Sequence, residues 1–261
     1  MNEENIVRLS AEAPLTFERA GMSLAVVEET GSTNDDCKSF IKEGVIQQCP
    51  FLLIAQRQRA GRGTRGHKWR SVVDALTFSM AFQGVKLAGG LTIGIGMAVA
   101  ALVREQLGIE LSVKWPNDLW LQDAKVGGIL SEVVSAADGR QGLVVGVGLN
   151  VVAPYEQLDK WAMRGLYLDR GEVLGIDWDH LLLGLAEQIR MVVQSPAPID
   201  VTCWRRYDAL LGASLKVEMP DGQHLFGENA GISPDGALLI KTEAGTVAVT
   251  NGSIIEKKNA R

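Results

Sequence analysis

The decapeptide Leu111-Ser-Val-Lys-Trp-Pro-Asn-Asp-Leu-Trp120 decides the fold, because it interrupts an apolar strand pattern with polar residues. Its branched and aromatic residues predict a strand, yet Pro116 has no N–H and cannot sit in an ordinary central ladder. Asn117 and Asp118 after a proline are typical of a hairpin turn. A strand that also carries Lys114 at such a break is equally typical of a functional site. Both interpretations stay open on this stretch alone.

Two glycine-containing strands are predicted downstream of this run. Lys125-Val-Gly-Gly-Ile-Leu-Ser-Glu132 places a lysine at the mouth of one strand, and Leu143-Val-Val-Gly-Val-Gly-Leu-Asn-Val151 predicts another. Glycines within a strand leave room for another group to lie against the backbone. The Gly-x-Gly-x-Asn pattern is not a dinucleotide-binding fingerprint, because it lacks a third glycine and a following helix.

A basic, glycine-rich loop lies upstream, at Gln56–Trp69. No acidic residue occurs between Glu43 and Asp74, although the whole chain carries a formal charge of −5. Arginine side chains and the N–H groups of glycines both bind phosphate or carboxylate oxygens. A solvated basic loop and an RNA contact are the alternatives, and the net negative charge argues against a general nucleic-acid binder.

Helices and strands of ordinary pattern surround these motifs. A strand is predicted over 23–29, and Ser32-Thr-Asn34 then opens a helix that runs to about Lys42. The side-chain oxygens of this tripeptide could simply cap free N–H groups, although a strand–turn–helix start can also hold a small polar ligand. Further strands are predicted over 51–55 and 75–82, and helices over 92–107, 179–193 and 201–211. Gly108 would be the C-cap of the first of these helices. Residues 1–22 are predicted to wrap the surface, residues 155–177 to form a linker and residues 257–261 to be a solvated tail.

The pattern changes near residue 212. Residues 213–256 form short alternating segments separated by Pro220-Asp-Gly222, Pro234-Asp-Gly236 and Ala244-Gly245. Short strands joined by such tight turns predict a small β-barrel.

Composition excludes several classes of protein. The 261 residues are 46% hydrophobic and 22% charged, which is ordinary for a globular protein with ample core material. Cys37, Cys49 and Cys203 are isolated in sequence and odd in number, so neither a disulfide framework nor a Cys-x-x-Cys metal pair is visible. The N-terminus has no signal-peptide pattern, and the longest apolar run, 91–103, is too short for a membrane span. We therefore expect a cytoplasmic protein without membrane contact.

Taken together and in order, these motifs resemble the biotin–protein ligases, across roughly residues 24–258. The Lys-Trp-Pro-Asn-Asp run carries most of the resemblance. It implies an α/β (α+β) fold with a mixed-sheet catalytic domain of the biotin/lipoate ligase type over 23–211. Residues 1–22 would be an N-terminal extension and residues 212–261 a small SH3-like β-barrel. Because the catalytic domain would begin near residue 23, we expect neither a helix-turn-helix domain nor binding to operator DNA.

The resemblance implies a two-step ligase reaction. The carboxylate of biotin would attack the α-phosphate of ATP to give biotinyl-5′-AMP and pyrophosphate. A lysine of a carboxylase's biotin carboxyl carrier domain would then attack this anhydride and expel AMP. Biotin and ATP with Mg²⁺ would be substrates, without a tightly bound prosthetic group. The Mg²⁺ ligands, the acceptor carboxylase and the formation of a homodimer stay open.

The same resemblance assigns roles to individual residues. The catalytic groups would be Lys125, Arg62, Lys114 and Asp118. Biotin would be held by Ser32, Thr33, Asn34, Gln58, Gly61, Arg62, Gly63, Thr64, Lys125 and Gly128. ATP would be held by Arg62, Arg65, His67, Trp69, Asn117, Gly146 and Asn150. We expect Trp115, Pro116 and Trp120 to pack rather than to contact ligand.

The basic loop departs from the family's usual Gly-Arg-Gly-Arg at Thr64, and His67 stands where a further basic residue is common. We expect the missing guanidinium to weaken retention of biotinyl-AMP. Two rival functions remain from the sequence: a lipoate or octanoate ligase or transferase of the same fold, and a non-catalytic biotin sensor. The complete Lys-Trp-Pro-Asn-Asp run argues against the first, and the intact Lys125 and Arg62 argue against the second.

Overall fold

A computed structural model describes residues 5–46, 50–66, 68–69, 74–136, 138–158 and 161–258. Its α-helices are α1 (Ala13–Arg19), α2 (Thr33–Lys42), α3 (Leu91–Leu107), α4 (Trp178–Gln194) and α5 (Val201–Trp204). Short 3₁₀ helices cover Thr64–Gly66 and Arg170–Val173. The strands before α4 are β1 (Ser23–Thr30), β2 (Phe51–Gln58), β3 (Asp74–Gln83), β4 (Ser112–Lys114), β5 (Asp118–Leu121), β6 (Ala124–Ser135), β7 (Gln141–Val152), β8 (Glu156–Leu158) and β9 (Trp161–Met163). The later strands are β10 (Ser214–Glu218), β11 (His224–Ile232), β12 (Leu238–Thr242), β13 (Gly245–Val249) and β14 (Ser253–Lys258).

A mixed sheet in the order β1-β2-β3-β7-β6-β5-β4 forms the first part of the molecule. The pair β1–β2 is parallel, whereas the pairs from β2 to β4 along this order are antiparallel. The strand β9 pairs with β6, and β8 pairs with β9. This arrangement confirms the predicted mixed α/β class.

Both faces of this sheet are covered, which explains why its central strands read as nearly continuous apolar runs. In β2, Leu52 and Ile54 join the larger core cluster while Leu53 joins a separate cluster beneath α2. The period of two along a strand sends these neighbours to opposite faces. Helices α3 and α4 pack together on the larger core. Gly108 ends α3 in the left-handed conformation, φ +68°, as its predicted C-cap role requires.

The second part is an antiparallel sheet in the order β13-β12-β11-β10-β14. Ladder irregularities interrupt the β10–β14 and β11–β12 pairs. In the part of the chain that the structure describes, no pairing joins β13 to β14. The predicted small antiparallel, SH3-like unit is therefore confirmed, but its strands do not close into a barrel. The division into residues 1–22, 23–211 and 212–261 stays a prediction.

The two sheets meet near the start of α3. The indole Nε1 of Trp115 donates to the carbonyl oxygen of Gly236 at 3.0 Å, and the N–H of Ile199 donates to that of Pro234 at 2.7 Å. A Cβ on Gly236 would lie 2.5 Å from the Cα of Gly90. The close approach of these two backbones joins the hairpin β11–β12 to the first part of the molecule.

Several segments fold differently from their predictions. The described N-terminal residues do more than wrap the surface, since Phe17 of α1 is fully buried and Asn5 donates to the carbonyl oxygen of Ala75 at 2.7 Å. The predicted helix over 201–211 ends at Trp204. Residues 155–177, predicted as a linker, contain β8, β9 and a 3₁₀ helix. Among the described residues, no helix is long and apolar enough to cross a membrane.

Candidate active site

A cavity of about 490 Å³ opens between the first sheet, the basic loop and the edge of the second sheet. Its floor follows from strand register, because Lys114 pairs with Asp118 and Asp118 pairs with Gly128. Gly128 in turn pairs with Gly148 across β6 and β7. Glycines at these cross-strand positions keep the floor open. The cavity brings together most of the residues predicted for the site: Ser32, Thr33, Asn34, Gln58, Arg62, Gly63, Thr64, Trp69, Lys114, Asn117, Asp118, Lys125, Gly128 and Gly146.

Four predicted site residues are not placed in the lining. Gly61 is buried behind it, where its carbonyl oxygen accepts from the N–H of Trp69 at 2.9 Å. Asn150 is fully buried in β7, and its Nδ2 donates to the carbonyl oxygen of Arg164 at 3.5 Å. His67 and the side chain of Arg65 lie outside the described part of the chain.

The run Leu111–Trp120 is both a hairpin turn and part of the site, so both of its interpretations are correct. It forms a tight β4–β5 hairpin, with Trp115, Pro116 and Asn117 in the turn. All three also line the cavity, so the turn is itself part of the site. The prediction that Trp115 packs is correct, since the residue is 3% exposed. Asn117 is held by a bond from its Nδ2 to the carbonyl oxygen of Ile129 at 2.9 Å.

Two lysines share one carboxylate at this end of the cavity. The Nζ of Lys125 lies 2.5 Å from Oδ1 of Asp118, and the Nζ of Lys114 lies 3.3 Å from its Oδ2. Burial alone would raise the pKa of Asp118, but the two ammonium groups outweigh it and hold the pKa below its usual range. Burial lowers the pKa of Lys114 against the opposing pull of Asp118. The cluster is therefore one carboxylate with two amines, suited to hold an anion.

The second sheet brings a further cation near this cluster. The ring of Trp120 has the Nζ of Lys114 at 5.8 Å and that of Lys257 at 5.0 Å from its centroid. Lys257 lies in β14, opposite Leu215 of β10. The prediction that residues 257–261 are only a solvated tail is wrong for Lys257, because strand pairing carries it to Trp120.

A row of polar side chains forms the other end of the cavity. Oγ of Ser79 lies 2.7 Å from Oγ1 of Thr33 and 2.6 Å from Oδ1 of Asn34. Nδ2 of Asn34 donates to Oε2 of Glu132 at 2.9 Å, and the N–H of Thr33 donates to Oε1 of Gln58 at 2.7 Å. Sequence reasoning missed Ser79 and Glu132. The signal for Ser79 was a hydroxyl in an otherwise apolar buried strand.

The capping interpretation of Ser32-Thr-Asn34 is not what the structure shows. Ser32 occupies the N-cap position of α2, but its side chain makes no capping bond. Thr33 and Asn34 instead bond to strands far away in sequence. The tripeptide therefore belongs to the cavity rather than to the helix end.

Arg62 lies at the rim, on an acidic pair. Its guanidinium is 2.5 Å from Oδ1 of Asp35 and 3.3 Å from Oε1 of Glu132. The hydrogen bond to Asp35 raises the pKa of Arg62. The same two carboxylates also hold Lys38, at 2.8 Å and 3.0 Å. A cation that lines the cavity is thus kept at its edge by surface ion pairs.

The indole of Trp69 lies across the floor. A Cβ on Gly148 would be 2.6 Å from the Trp69 ring, so only glycine permits this approach. The Nζ of Lys125 lies 5.8 Å from the ring centroid. Trp69 therefore contacts the same lysine that Asp118 holds.

The second sheet closes the cavity with a segment that sequence reasoning did not identify. Thr250, Asn251, Gly252, Ser253, Ile254 and Ile255 all belong to the lining. This segment, named the turn Thr250–Ile255, comprises the three residues after β13 and the first three residues of β14. An Asn-Gly pair between alternating segments predicts such a turn, but nothing local indicates which distant surface it meets.

The arrangement fits a substrate with a small polar head and a strongly anionic group. Hydroxyl and amide groups at the Thr33 end can hydrogen-bond a polar ring, while Lys114 and Lys125 offer fixed charge to phosphates. Among the described residues that line the cavity, Asp118 is the one with a carboxylate side chain. Among the described residues no group of three or more His, Cys, Asp or Glu forms a metal site. This donor set suits Mg²⁺ that arrives on phosphates with its own water ligands.

Comparisons with known proteins agree with this geometry. A model of the biotin/lipoate A/B protein ligase family matches residues 26–150, and a model of the biotin protein ligase C-terminal domain matches residues 211–255. The chain is 31% identical over 234 residues to the bifunctional ligase/repressor BirA of Escherichia coli K12, covering 85% of this chain and 70% of that protein. It is 30% identical to the biotin–[acetyl-CoA-carboxylase] ligase of Mycobacterium tuberculosis, covering 89% of this chain and 88% of that one. A biotin protein ligase from Aquifex aeolicus, solved in complex with biotin and ATP, superposes with a TM-score of 0.72 at 26% identity, over 91% of this chain and 99% of that chain.

Proposed function

This chain belongs to the biotin protein ligase family, and on that premise we propose that it activates biotin as biotinyl-5′-AMP and transfers it to a carrier lysine. Membership of this family shows that the protein is a ligase that acts on biotin. The two half-reactions, the carrier and the residue roles below are our proposal. They are supported by the contents of one cavity and by its likeness to a relative solved with biotin and ATP.

Biotin would bind with its ureido ring at the polar end of the cavity. Thr33 and Gln58 present hydroxyl and amide groups there, and both side chains line the cavity. Gly128 leaves a flat surface on β6, where a Cβ would have no neighbour closer than 3.6 Å. The carboxylate end of biotin would then extend toward Lys125.

ATP would bind at the lysine end. Lys114 and Lys125 would face its phosphates, with Arg62 and Thr64 of the basic loop on the other side. Asn117 and the face of Trp69 would contact the nucleoside. The turn Thr250–Ile255 would close the site from the second sheet, which gives the C-terminal unit a direct part in nucleotide binding.

In the first half-reaction, a carboxylate oxygen of biotin attacks the α-phosphorus of ATP. A new O–P bond forms while the bond from that phosphorus to the bridging oxygen breaks, and pyrophosphate leaves with its electron pair. Joining two anions requires fixed positive charge at the developing phosphorane. Lys125, whose Nζ lies 2.5 Å from Oδ1 of Asp118, would supply that charge. Mg²⁺ on ATP supplies neutralising charge when bound, and Asp118 with Asn117 would hold its hydration shell.

In the second half-reaction, a neutral lysine amine of the carrier attacks the acyl carbon. The C–N bond forms, the acyl C–O bond breaks, AMP leaves, and the amine loses a proton to solvent. This chain need supply no nucleophile. Lys114 and Lys125 would again face the charge that develops on the departing phosphate.

The observation that carries the proposal is that one cavity holds both the Thr33–Ser79–Asn34 polar row and the Lys114–Asp118–Lys125 cluster. It is tested by ATP–pyrophosphate exchange with biotin, lipoate, octanoate and no acid. We expect exchange with biotin alone, followed by labelling of an unmodified carrier domain with biotin. Exchange with lipoate or octanoate but not with biotin would show that biotin is not the acid that this protein activates. Biotin binding without any exchange would indicate a sensor and overturn the ligase mechanism.

A matched pair of lysine variants tests the role of the cluster. Lys125→Gln removes one cation from the cavity, and we expect at least about a 100-fold loss of biotin-dependent exchange. Lys86→Gln removes an exposed lysine and should leave exchange unchanged. Equal activity in the two variants would contradict the assigned role of Lys125.

A further inference from the structure

The polar row beneath the cavity runs from a charged group to the ligand-binding end without interruption. Thr33, Asn34 and Ser79 are 2%, 4% and 0% exposed, so their hydrogen-bonding groups must be satisfied by one another. Glu132 ends the row, and its carboxylate also accepts from Lys38 at 3.0 Å. The directions of these hydrogen bonds can be worked out from Glu132 outward.

The orientation of the Asn34 amide is fixed by its neighbours. One amide atom lies 2.9 Å from Oε2 of Glu132 and 3.3 Å from the carbonyl oxygen of Leu130. Beside Lys38 the carboxylate of Glu132 only accepts, and the Leu130 carbonyl always does, so the Asn34 atom between them must be the NH₂ group. The amide oxygen therefore faces Ser79.

This orientation determines where the hydroxyl protons go. Ser79 has one hydroxyl proton, and the Asn34 oxygen at 2.6 Å accepts it. In the 2.7 Å contact between Ser79 and Thr33, the Ser79 oxygen can then only accept. The Thr33 hydroxyl therefore has two protein acceptors for its proton, Ser79 at 2.7 Å and Oε1 of Gln58 at 3.1 Å. The Thr33 oxygen has no proton left to give, so toward the cavity it offers only a lone pair.

Gln58 is held in the complementary sense. Its Oε1 accepts from the backbone N–H of Thr33 at 2.7 Å, which leaves its NH₂ group as the available donor. The polar end of the cavity therefore offers an acceptor at Thr33 and a donor at Gln58. A ring N–H next to a carbonyl, as in a cyclic urea, has the matching pattern.

We propose that Ser79 and Glu132 are positioning residues that fix Thr33 as an acceptor and so select a ligand with a ring N–H. The inference rests on the proposed function and deepens it, because it names what makes the pocket prefer a cyclic urea. Neither residue has to touch the ligand. Glu132 sets the direction of the row and Ser79 transmits it.

Cyclic carbamate analogues of biotin, in which a ring oxygen replaces one ureido N–H, test this directly. The oxygen has nearly the size of N–H but accepts instead of donating. In one of the two regioisomers this ring oxygen would face the lone pair of Thr33. That regioisomer should bind the wild-type protein at least about 30-fold more weakly than biotin. Dissociation constants measured by titration calorimetry keep the test independent of turnover.

Ser79→Ala should relax this preference. Without Ser79, the Thr33 hydroxyl loses its shorter acceptor and keeps only Oε1 of Gln58 at 3.1 Å, so its proton can turn toward the ring oxygen of the carbamate. We expect the carbamate-to-biotin ratio to fall below about fivefold, whatever happens to the affinity for biotin itself. Ser131→Ala is the matched control. Ser131 precedes Glu132 in β6, but its hydroxyl bonds to Thr92 at 3.0 Å and is not part of the polar row. It should keep the wild-type ratio.

Glu132→Gln tests the origin of the direction without removing Ser79. Its amide oxygen would remain with Lys38 and Arg62, so its NH₂ group would face Asn34 and favour a reversed amide there. We expect a reduced ratio in this variant too. Wild-type ratios in both Ser79→Ala and Glu132→Gln, with the thermal unfolding midpoints showing folded protein, would overturn the inference. Absence of biotin-dependent exchange would overturn the proposed function instead, while the calorimetric preference for N–H would still stand.

Discussion

At the scale of single residues, two glycines of the cavity floor differ in what a side chain would meet. A Cβ on Gly146 would lie 2.1 Å from Oδ1 of Asn34, so it could not be added without moving that amide. A Cβ on Gly128 would lie 3.6 Å from both the Asn117 carbonyl oxygen and the Nζ of Lys125, which is ordinary contact. Glycine at position 146 is thus required by the packing of Asn34, whereas a methyl group at position 128 would meet no close neighbour in the protein.

Alanine at each of these positions should separate stability from binding. Gly146→Ala displaces Asn34, and we expect it to lower the free energy of unfolding by about 1–3 kcal/mol and to weaken biotin binding. Gly128→Ala should stay within about 0.5 kcal/mol of wild type, yet weaken biotin if the ring lies on β6. Urea unfolding and titration calorimetry measure the two effects. A Gly146→Ala protein as stable as wild type would show that Asn34 is not held as described.

The pairing of Asp118 with two lysines should appear in the pH dependence of stability. The folded state holds the pKa of Asp118 below 3.8, so the unfolded chain binds this proton more readily. The stabilisation is therefore complete above about pH 5 and is lost as pH falls through the lowered folded value. Asp118→Asn, which leaves buried Lys114 without its carboxylate, should cost about 3 kcal/mol at pH 7, and the cost should shrink toward pH 3.

Urea titrations of wild type and variant between pH 7 and pH 3 measure that difference. Asp123→Asn is the control, because Asp123 is exposed in the turn between β5 and β6. Its unfolding midpoint should follow that of wild type at every pH. A cost for Asp118→Asn that does not change with pH would contradict the assigned ion pairs.

At the scale of elements, two Pro-Asp-Gly turns of the second sheet have the same backbone and different surroundings. Gly222 and Gly236 have φ of +82° and +84°, so alanine is strained at both. Nothing lies within 4 Å of a Cβ on Gly222, whereas one on Gly236 would meet the Cα of Gly90 at 2.5 Å. Only the second turn joins the two sheets.

Alanine at the two turns should therefore have different effects on the nucleotide site. Gly222→Ala should cost about 1 kcal/mol from the turn alone and leave the KM for ATP unchanged. Gly236→Ala should cost about 1–3 kcal/mol more and raise that KM, because it separates the second sheet from α3 and shifts Thr250–Ile255. Exchange kinetics and urea unfolding of the two variants are the measurement. Indistinguishable variants would mean that the Gly236–Gly90 contact does not position the turn.

Most elements could be predicted from local pattern, and the errors at the site share one physical cause. The strands and long helices fall within a few residues of their predicted bounds, because their apolar period is set by the core that they face. Local sequence pattern does not predict which distant segments face each other across a cavity. Ser79 and the turn Thr250–Ile255 were missed for that reason, and the capping interpretation of Ser32-Thr-Asn34 was wrong because tertiary bonds replaced the cap.

Individual roles depended on the resemblance rather than on pattern. Lys114 looked like a break in a strand, and only the register of β4, β5 and β6 places it beside Lys125. Asn150 matched the pattern equally well but is fully buried and does not line the cavity. A side chain two positions further along a strand points to the same face, yet its distance from the site depends on where the strand ends.

At the scale of the whole molecule, the two sheets share one hydrophobic core. The larger cluster of buried side chains includes Leu76 and Val147 of the first sheet together with Leu238 and Ile254 of the second. Continuous packing of this kind couples the stabilities of both parts. The C-terminal unit is therefore not expected to unfold independently.

We expect one cooperative thermal transition, with calorimetric and van't Hoff enthalpies in agreement. The interior packing between the sheets is the physical reason, since opening one part would expose apolar surface on the other. Differential scanning calorimetry measures both enthalpies in one experiment. Two resolved transitions would show that the shared core contributes little to the stability of either sheet.

The indole of Trp69, flat against Gly148 and beside Lys125, gives the protein a built-in optical reporter. Any ligand that enters the cavity must change the polarity around this ring, and with it the intensity or wavelength of its emission. Titration with biotin and ATP should therefore change the intrinsic fluorescence, and Trp69→Phe should remove most of that change while leaving buried Trp204 emitting as before. An unchanged signal in Trp69→Phe would assign the response to another tryptophan. Occupancy of the site can then be followed in real time, without label and without turnover.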